Sequence, residues 1–141
     1  MSSTPASDAL SQLKAPSLEA MDAMTRAAFD DLPVAFRALC GDVIIHVTDF
    51  PDDEVLAEME AETPFDLLGL FTGIGLAQGA TMAETGQMPN TVHLYRRPIL
   101  DYWAEHDETL GAIVTHVLVH EIGHHFGLSD DDMAAIEGKA P

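Results

Sequence analysis

Residues 107–133 read DETLGAIVTHVLVHEIGHHFGLSDDDM. The stretch 107–126 is nearly all apolar and too long for an ordinary strand, so it is expected to form a helix, with Asp107 as its cap. A helix this apolar is expected to be buried, which keeps its histidines off an idle solvated face. Within it His120, Glu121 and His124 form the pattern HExxH. Positions four apart on a helix differ by about 40° in azimuth and about 6 Å in rise, so both imidazoles face one way. Such a pair can grip one Zn²⁺ at roughly 2.0–2.1 Å. Glu121 lies about 100° round the helix, outside the ligand plane but within reach of water at the metal.

The remaining coordination is expected from beyond the helix end. Gly127 can take positive φ and turn the chain sharply, and Asp130 follows three residues later as a carboxylate ligand. Two histidines and one carboxylate leave one position open, the mark of a catalytic rather than a structural zinc. Such an ion acidifies water and polarises a carbonyl, and Glu121 is placed to take the proton and hand it to a leaving amine. In a chain of this composition a chance HExxH has a probability of roughly 0.02, falling to roughly 0.0002 once the glycine and aspartate are required. Blander readings stand beside these. The two histidines could be satisfied core residues. Ser129-Asp130-Asp131-Asp132 also looks like the capped, acidic first turn of a short helix, so capping could be the whole role of Asp130, or Asp131 could be the ligand. His125 points away and reads as a packing residue. His116, one turn before His120 on the same stripe, either approaches the site or is a hydrogen-bonded buried histidine.

The motif HEIGHHFGLSDDDM, the helix before it, TVHLYRRPIL (91–100), LLGLFTGIGL (67–76) and LPVAFR (32–37) together resemble the small bacterial Asp-zincins, compact zinc metallopeptidases with HExxHxxGxxD. The similarity spans roughly residues 18–135. It implies a minimal zincin-like fold, one Zn²⁺ per chain held by His120, His124 and Asp130, and Glu121 as base. In zincins an edge strand above the metal pairs with an extended peptide substrate. By resemblance the third strand or the segment 67–80 is the candidate here.

The rest of the chain reads as an α+β scaffold with a small mixed sheet of about three strands and the metal helix near the C-terminus. Residues 1–16 are expected to be a flexible lead-in and 17–141 a single domain. Ser17 caps a first helix to about Leu32, with Leu18, Met21, Met24, Ala28 and Phe29 on its apolar side. Pro33 starts a second helix to about Leu39. DVIIHVTDF (42–50) reads as a central strand, and Asp52, Asp53 and Glu54 suit a helix N-terminus. Strands are expected at about 67–72 and 91–96, and a short helix from Pro98 to Trp103. His46 and His93 read as strand residues. Gly69, Gly73, Gly75 and Gly79 suggest tight turns near the site, in a segment too short and glycine-rich to span a membrane.

Net charge is −18, from 24 acids against 6 bases. That repels phosphate backbones and excludes a nucleic-acid substrate, while a basic peptide or protein would be drawn in. One cysteine, Cys40, permits no internal disulfide, and no secretory pattern opens the chain, so a cytoplasmic location is expected. Eleven residues follow Asp130, so no C-terminal subdomain is expected to close a cleft. Met133 follows too closely to form the separate turn of metzincins. Tyr95, Arg96 or Arg97 could stabilise an oxyanion, although ion pairing is the simpler role for the arginines. A non-catalytic metal-binding protein and a metal-dependent hydrolase of another bond are the alternatives.

Overall fold

The computed structural model describes residues 5–73 and 90–139. Seven helices and three strands occur among them: α1 (Pro5–Ser11), α2 (Leu18–Asp30), α3 (Val34–Cys40), β1 (Ile44–Thr48), α4 (Asp53–Glu58), β2 (Gly69–Thr72), β3 (Thr91–Tyr95), α5 (Arg96–Glu105), α6 (Leu110–His125) and α7 (Asp130–Lys139). The strands form one mixed sheet in the order β1-β3-β2. β1 runs parallel to β3, with His46 opposite His93, and β2 runs antiparallel to β3, with Gly69 opposite Leu94. The expected α+β class with a small mixed sheet is what the chain adopts.

Alternation along the strands divides the sheet into two faces. Ile45, Phe71, Val92 and Leu94 are buried in one core with Met21 of α2 and Ile113, Val114, Val117, Leu118 and Ile122 of α6. His46, Thr72 and His93 lie on the other face, where the two imidazoles meet edge to face at 5.5 Å and Thr72 Oγ1 is 3.3 Å from His93 Nε2. The strand reading of both histidines therefore holds. Because β3 is paired on both sides, it offers no edge to a further strand, whereas among the described residues the outer edge of β2 has no strand beside it.

Local chemistry sets the helix boundaries. Ser17 caps α2 by accepting from Ala20 N–H, and Asp52 caps α4 by accepting from Val55 N–H. Along α2 Met21 is fully buried, whereas Leu18 at the first turn is exposed. Thr25 is also fully buried and satisfies its hydroxyl by donating to Met21 O at 2.7 Å.

Three expectations need correction. The segment 42–50, expected to be a central strand, supplies β1 at one edge of the sheet with β3 in the middle, while α1 lies within the lead-in and Arg96 Nε, at the start of α5, donates to the Pro16 carbonyl at 2.6 Å. The long helix starts at Leu110, capped by Thr109 rather than Asp107, because the Thr109 hydroxyl accepts from Ala112 N–H at 3.1 Å. Nor is that helix buried all round. Its aliphatic side faces the core, while His116 and His124 are exposed and His120 is half-buried. The glycine turns expected at Gly75 and Gly79 fall outside the described residues.

Candidate metal and catalytic site

Three of the four histidines of α6, His116, His120 and His124, form a stripe at i, i+4 and i+8. The rings of His116 and His120 lie 3.9 Å apart and those of His120 and His124 5.6 Å apart. Two imidazoles sharing one tetrahedral zinc at 2.0–2.1 Å have ring centres roughly 5 Å apart. The His120–His124 pair is therefore compatible with one ion, and imidazole nitrogens with a nearby carboxylate are a zinc-type donor set. His125 points elsewhere, as expected, and packs its ring 4.4 Å from that of Phe71.

The turn after α6 is specified residue by residue. Gly127 has φ +77°, its N–H donates to His124 O at 3.2 Å, and Leu128 N–H donates to Gly123 O at 2.9 Å. These two bonds make a Schellman ending, which favours glycine at the left-handed position. Ser129 then begins α7 reciprocally: its hydroxyl accepts from Asp132 N–H at 3.1 Å and its own N–H donates to Asp132 Oδ2 at 3.4 Å. Capping thus falls to Ser129 and Asp132. Asp130, the first residue of α7, takes no part in it and is exposed, as is Asp131.

α7 folds back on α6 through a close approach. A Cβ on Gly123 would sit 2.5 Å from Met133 Sδ, and Met133 is fully buried. The glycine inside HEIGH thus has a packing purpose that spacing alone could not disclose. Further along α7, Glu137 reaches two histidines at once. His116 Nδ1 lies 2.9 Å from Glu137 Oε1, and His120 Nε2 lies 3.2 Å from Glu137 Oε2. Among the described residues, His116, His120 and Glu137 are the group of three whose ligand atoms all lie within 4.8 Å of one another. His124 and Asp130 do not join that group. Sequence reasoning had no signal for Glu137, one acid among 24 in the chain.

Glu121 occupies a different environment from the histidines. A Cβ on Gly69 would lie 3.4 Å from Glu121 Cγ, 2.7 Å from Val117 Cγ1 and 2.9 Å from His93 O. Gly69 thus lets the edge strand β2 settle directly onto the helix, with Glu121 beneath it. Burial there pushes the Glu121 carboxyl up to about 7. Tyr95, at the end of β3, is buried, and its hydroxyl is pushed up to about 12, first by burial and then by the carboxylates of Asp52 and Glu121. It therefore stays protonated near neutral pH and can only donate or accept as a neutral hydroxyl. His93 is lowered, chiefly by burial and secondarily by His46.

The arginines weighed as oxyanion donors have structural partners. Arg96 Nη1 pairs with Asp49 Oδ1 at 3.0 Å in addition to its bond to Pro16, and Arg97 lies over the Phe50 ring at 5.6 Å. Cys40 is buried at the end of α3, and its thiol is pushed up by burial, in keeping with a packing residue. None of the described helices is long and apolar enough to cross a membrane.

Comparison with the curated proteins found no match. The sequence profile of the zincin-like metallopeptidases, whose members generally bind zinc, matches residues 40–140, from the end of α3 through β1, β2, β3, α6 and α7. With the HExxH helix lying under β2 and His116 and His120 turned toward Glu137 of α7, the chain belongs to the zincin-like metallopeptidase family.

Proposed function

We propose that the chain is a zinc-dependent peptidase in which His120, His124 and Asp130 hold one Zn²⁺ and Glu121 is the general base. The observation that carries this reading is the placement of Glu121. It lies on the metal helix, in a partly desolvated position, directly beneath Gly69 of the edge strand. When bound, zinc supplies Lewis acidity, polarising a substrate carbonyl and lowering the pKa of water toward about 7.

The chain's own residues supply the rest. An extended peptide adding to the open edge of β2 gains main-chain hydrogen bonds and passes over Glu121. A glutamate whose pKa is close to neutrality can accept a proton from water and still return it to a leaving amine, the two transfers that amide hydrolysis requires. Packing of Val117 and Glu121 against β2 excludes water from one side of that carboxylate. The chain's excess of 18 negative charges favours substrates with basic side chains over acidic ones.

The test compares wild type with Glu121→Gln for zinc content by elemental analysis and for cleavage of a peptide library. Wild type is expected to carry one zinc and cleave. Glu121→Gln is expected to keep the zinc and lose about 10²–10⁴-fold in rate. Zinc-loaded wild type that cleaves no peptide would leave a metal-binding protein without this activity, and undiminished cleavage by Glu121→Gln would remove Glu121 from the mechanism.

A further inference from the structure

We propose that His116, His120 and Glu137 form a second divalent-cation position, one helical turn back from the first and sharing His120 with it, so that an ion occupies one position or the other. The position rests on the observed contacts. Its relation to the first rests on the function proposed above.

Three observations converge. The donor set is two imidazoles four residues apart on one helix plus a carboxylate from a facing helix, a combination that suits Zn²⁺, Co²⁺ or Ni²⁺. The carboxylate already spans both rings, at 2.9 Å from His116 and 3.2 Å from His120. A tetrahedral ion needs its donors roughly 3.3 Å apart, and the three ligand atoms already lie within 4.8 Å of one another. The His116 and His120 rings, 3.9 Å apart, also have to spread by about 1 Å to share an ion, which side-chain rotation can supply. His116 is exposed, so its ring can turn without disturbing the core.

The backbone makes this arrangement durable. Met133 packs on Gly123, and four residues later Glu137 meets His120 and His116, so α7 runs antiparallel to α6 in a defined register. Asp130, seven residues before Glu137, shares its side of α7 and by the same register lies toward the His124 end. The hairpin thus carries a stripe of three of the four histidines of α6 and, two turns apart, Asp130 and Glu137 among the four carboxylates of α7. His120 is the middle rung. A neutral imidazole offers one lone pair, because its other nitrogen carries the proton. His120 therefore cannot serve both positions at once. An ion held by His116, His120 and Glu137 leaves His124 and Asp130 without it.

The experiment is Co²⁺ titration of chelator-stripped protein, read by visible absorption and equilibrium dialysis, with helix content checked by circular dichroism. The variants are His124→Ala, His124→Ala with Glu137→Gln, and His124→Ala with His116→Ala. His116 and Glu137 lie outside the buried core, so these changes leave the packing in place. His124→Ala is expected to retain one Co²⁺ per chain, and each double variant to bind at least about tenfold more weakly. Failure of His124→Ala to bind Co²⁺ would overturn the inference, as would double variants that bind as tightly as His124→Ala. Peptide cleavage is scored separately with Glu121→Gln, so an inactive wild type showing this binding pattern removes the peptidase reading and leaves the second position standing.

Discussion

Glu121 differs from His116, His120 and His124 on its helix because it faces the sheet, and that orientation has a thermodynamic signature. Its carboxyl is raised from 4.5 to about 7 by burial, so in the metal-free protein the folded state holds a proton that the unfolded chain releases. Stability therefore falls as pH rises from about 4.5 to 7 and stays reduced above that range. Glu121→Gln removes the penalty. In metal-free protein it is expected to stabilise by about 1–3 kcal/mol at pH 8, an order-of-magnitude figure reduced for partial exposure, with no gain by pH 4. Thermal melts of both proteins across that range measure it, and a gap that did not vary with pH would contradict the desolvated placement. The identities of His120, Glu121 and His124 as a group were legible in the sequence because helical spacing alone orients them. The role of Glu137 was not, since its meaning arises from a contact with His116 21 residues away across a tight turn.

Two glycines set the positions of the elements around α6, each for a separate reason. Gly127 needs its left-handed φ of +77°, so Gly127→Ala is expected to cost about 1 kcal/mol and to lower the melting temperature by several degrees, although a Cβ there meets nothing within 4 Å. At Gly69 the obstacle is space: a Cβ would press on Val117 and on the backbone oxygen of His93. Gly69→Ala is expected to cost about 1–3 kcal/mol and to lift β2 from the helix, which peptide cleavage would report as a larger loss than the melt alone explains. The first of these was readable from the chain, because a glycine after a helical run announces its ending. The second was not, because close approach between a strand and a helix 50 residues apart depends on the finished packing. Helix starts show the same division. Ser17 was identifiable as a cap and Asp52 only as one of three acids suiting a helix N-terminus, while Asp107 competed with Thr109 two residues on, and the contest went to the threonine that reaches Ala112.

Across the whole molecule the dominant quantity is a charge of −18 on 141 residues. Self-repulsion on that scale opposes compactness, and salt screens it over about 10 Å at 0.1 M. Melting temperature is expected to rise between about 10 mM and 0.5 M sodium chloride, while KM for a lysine-rich peptide rises over the same range as its attraction is screened. A melting temperature independent of salt would show that the acids are spread too thinly to repel. The α+β class was legible because strand and helix periodicities alternate along the chain. The pairing order was not, since β1 is followed by β2 yet lies beside β3. That order and the position of α6 also bear on how the molecule assembles. β1 at 44–48 packs on α2, which is made before it, but must wait for β3 at 91–95 to pair, and the aliphatic side chains of α6 that cover β2 and β3 arrive only at 110–125. During vectorial synthesis β2 and β3 are therefore made before the helix that buries them, and their apolar side stays uncovered until the histidine-bearing helix emerges. The hairpin of α6 and α7, by contrast, closes through short-range contacts, which form quickly. The sheet of this chain is thus completed late, once the helix that carries His116, His120 and His124 has been made.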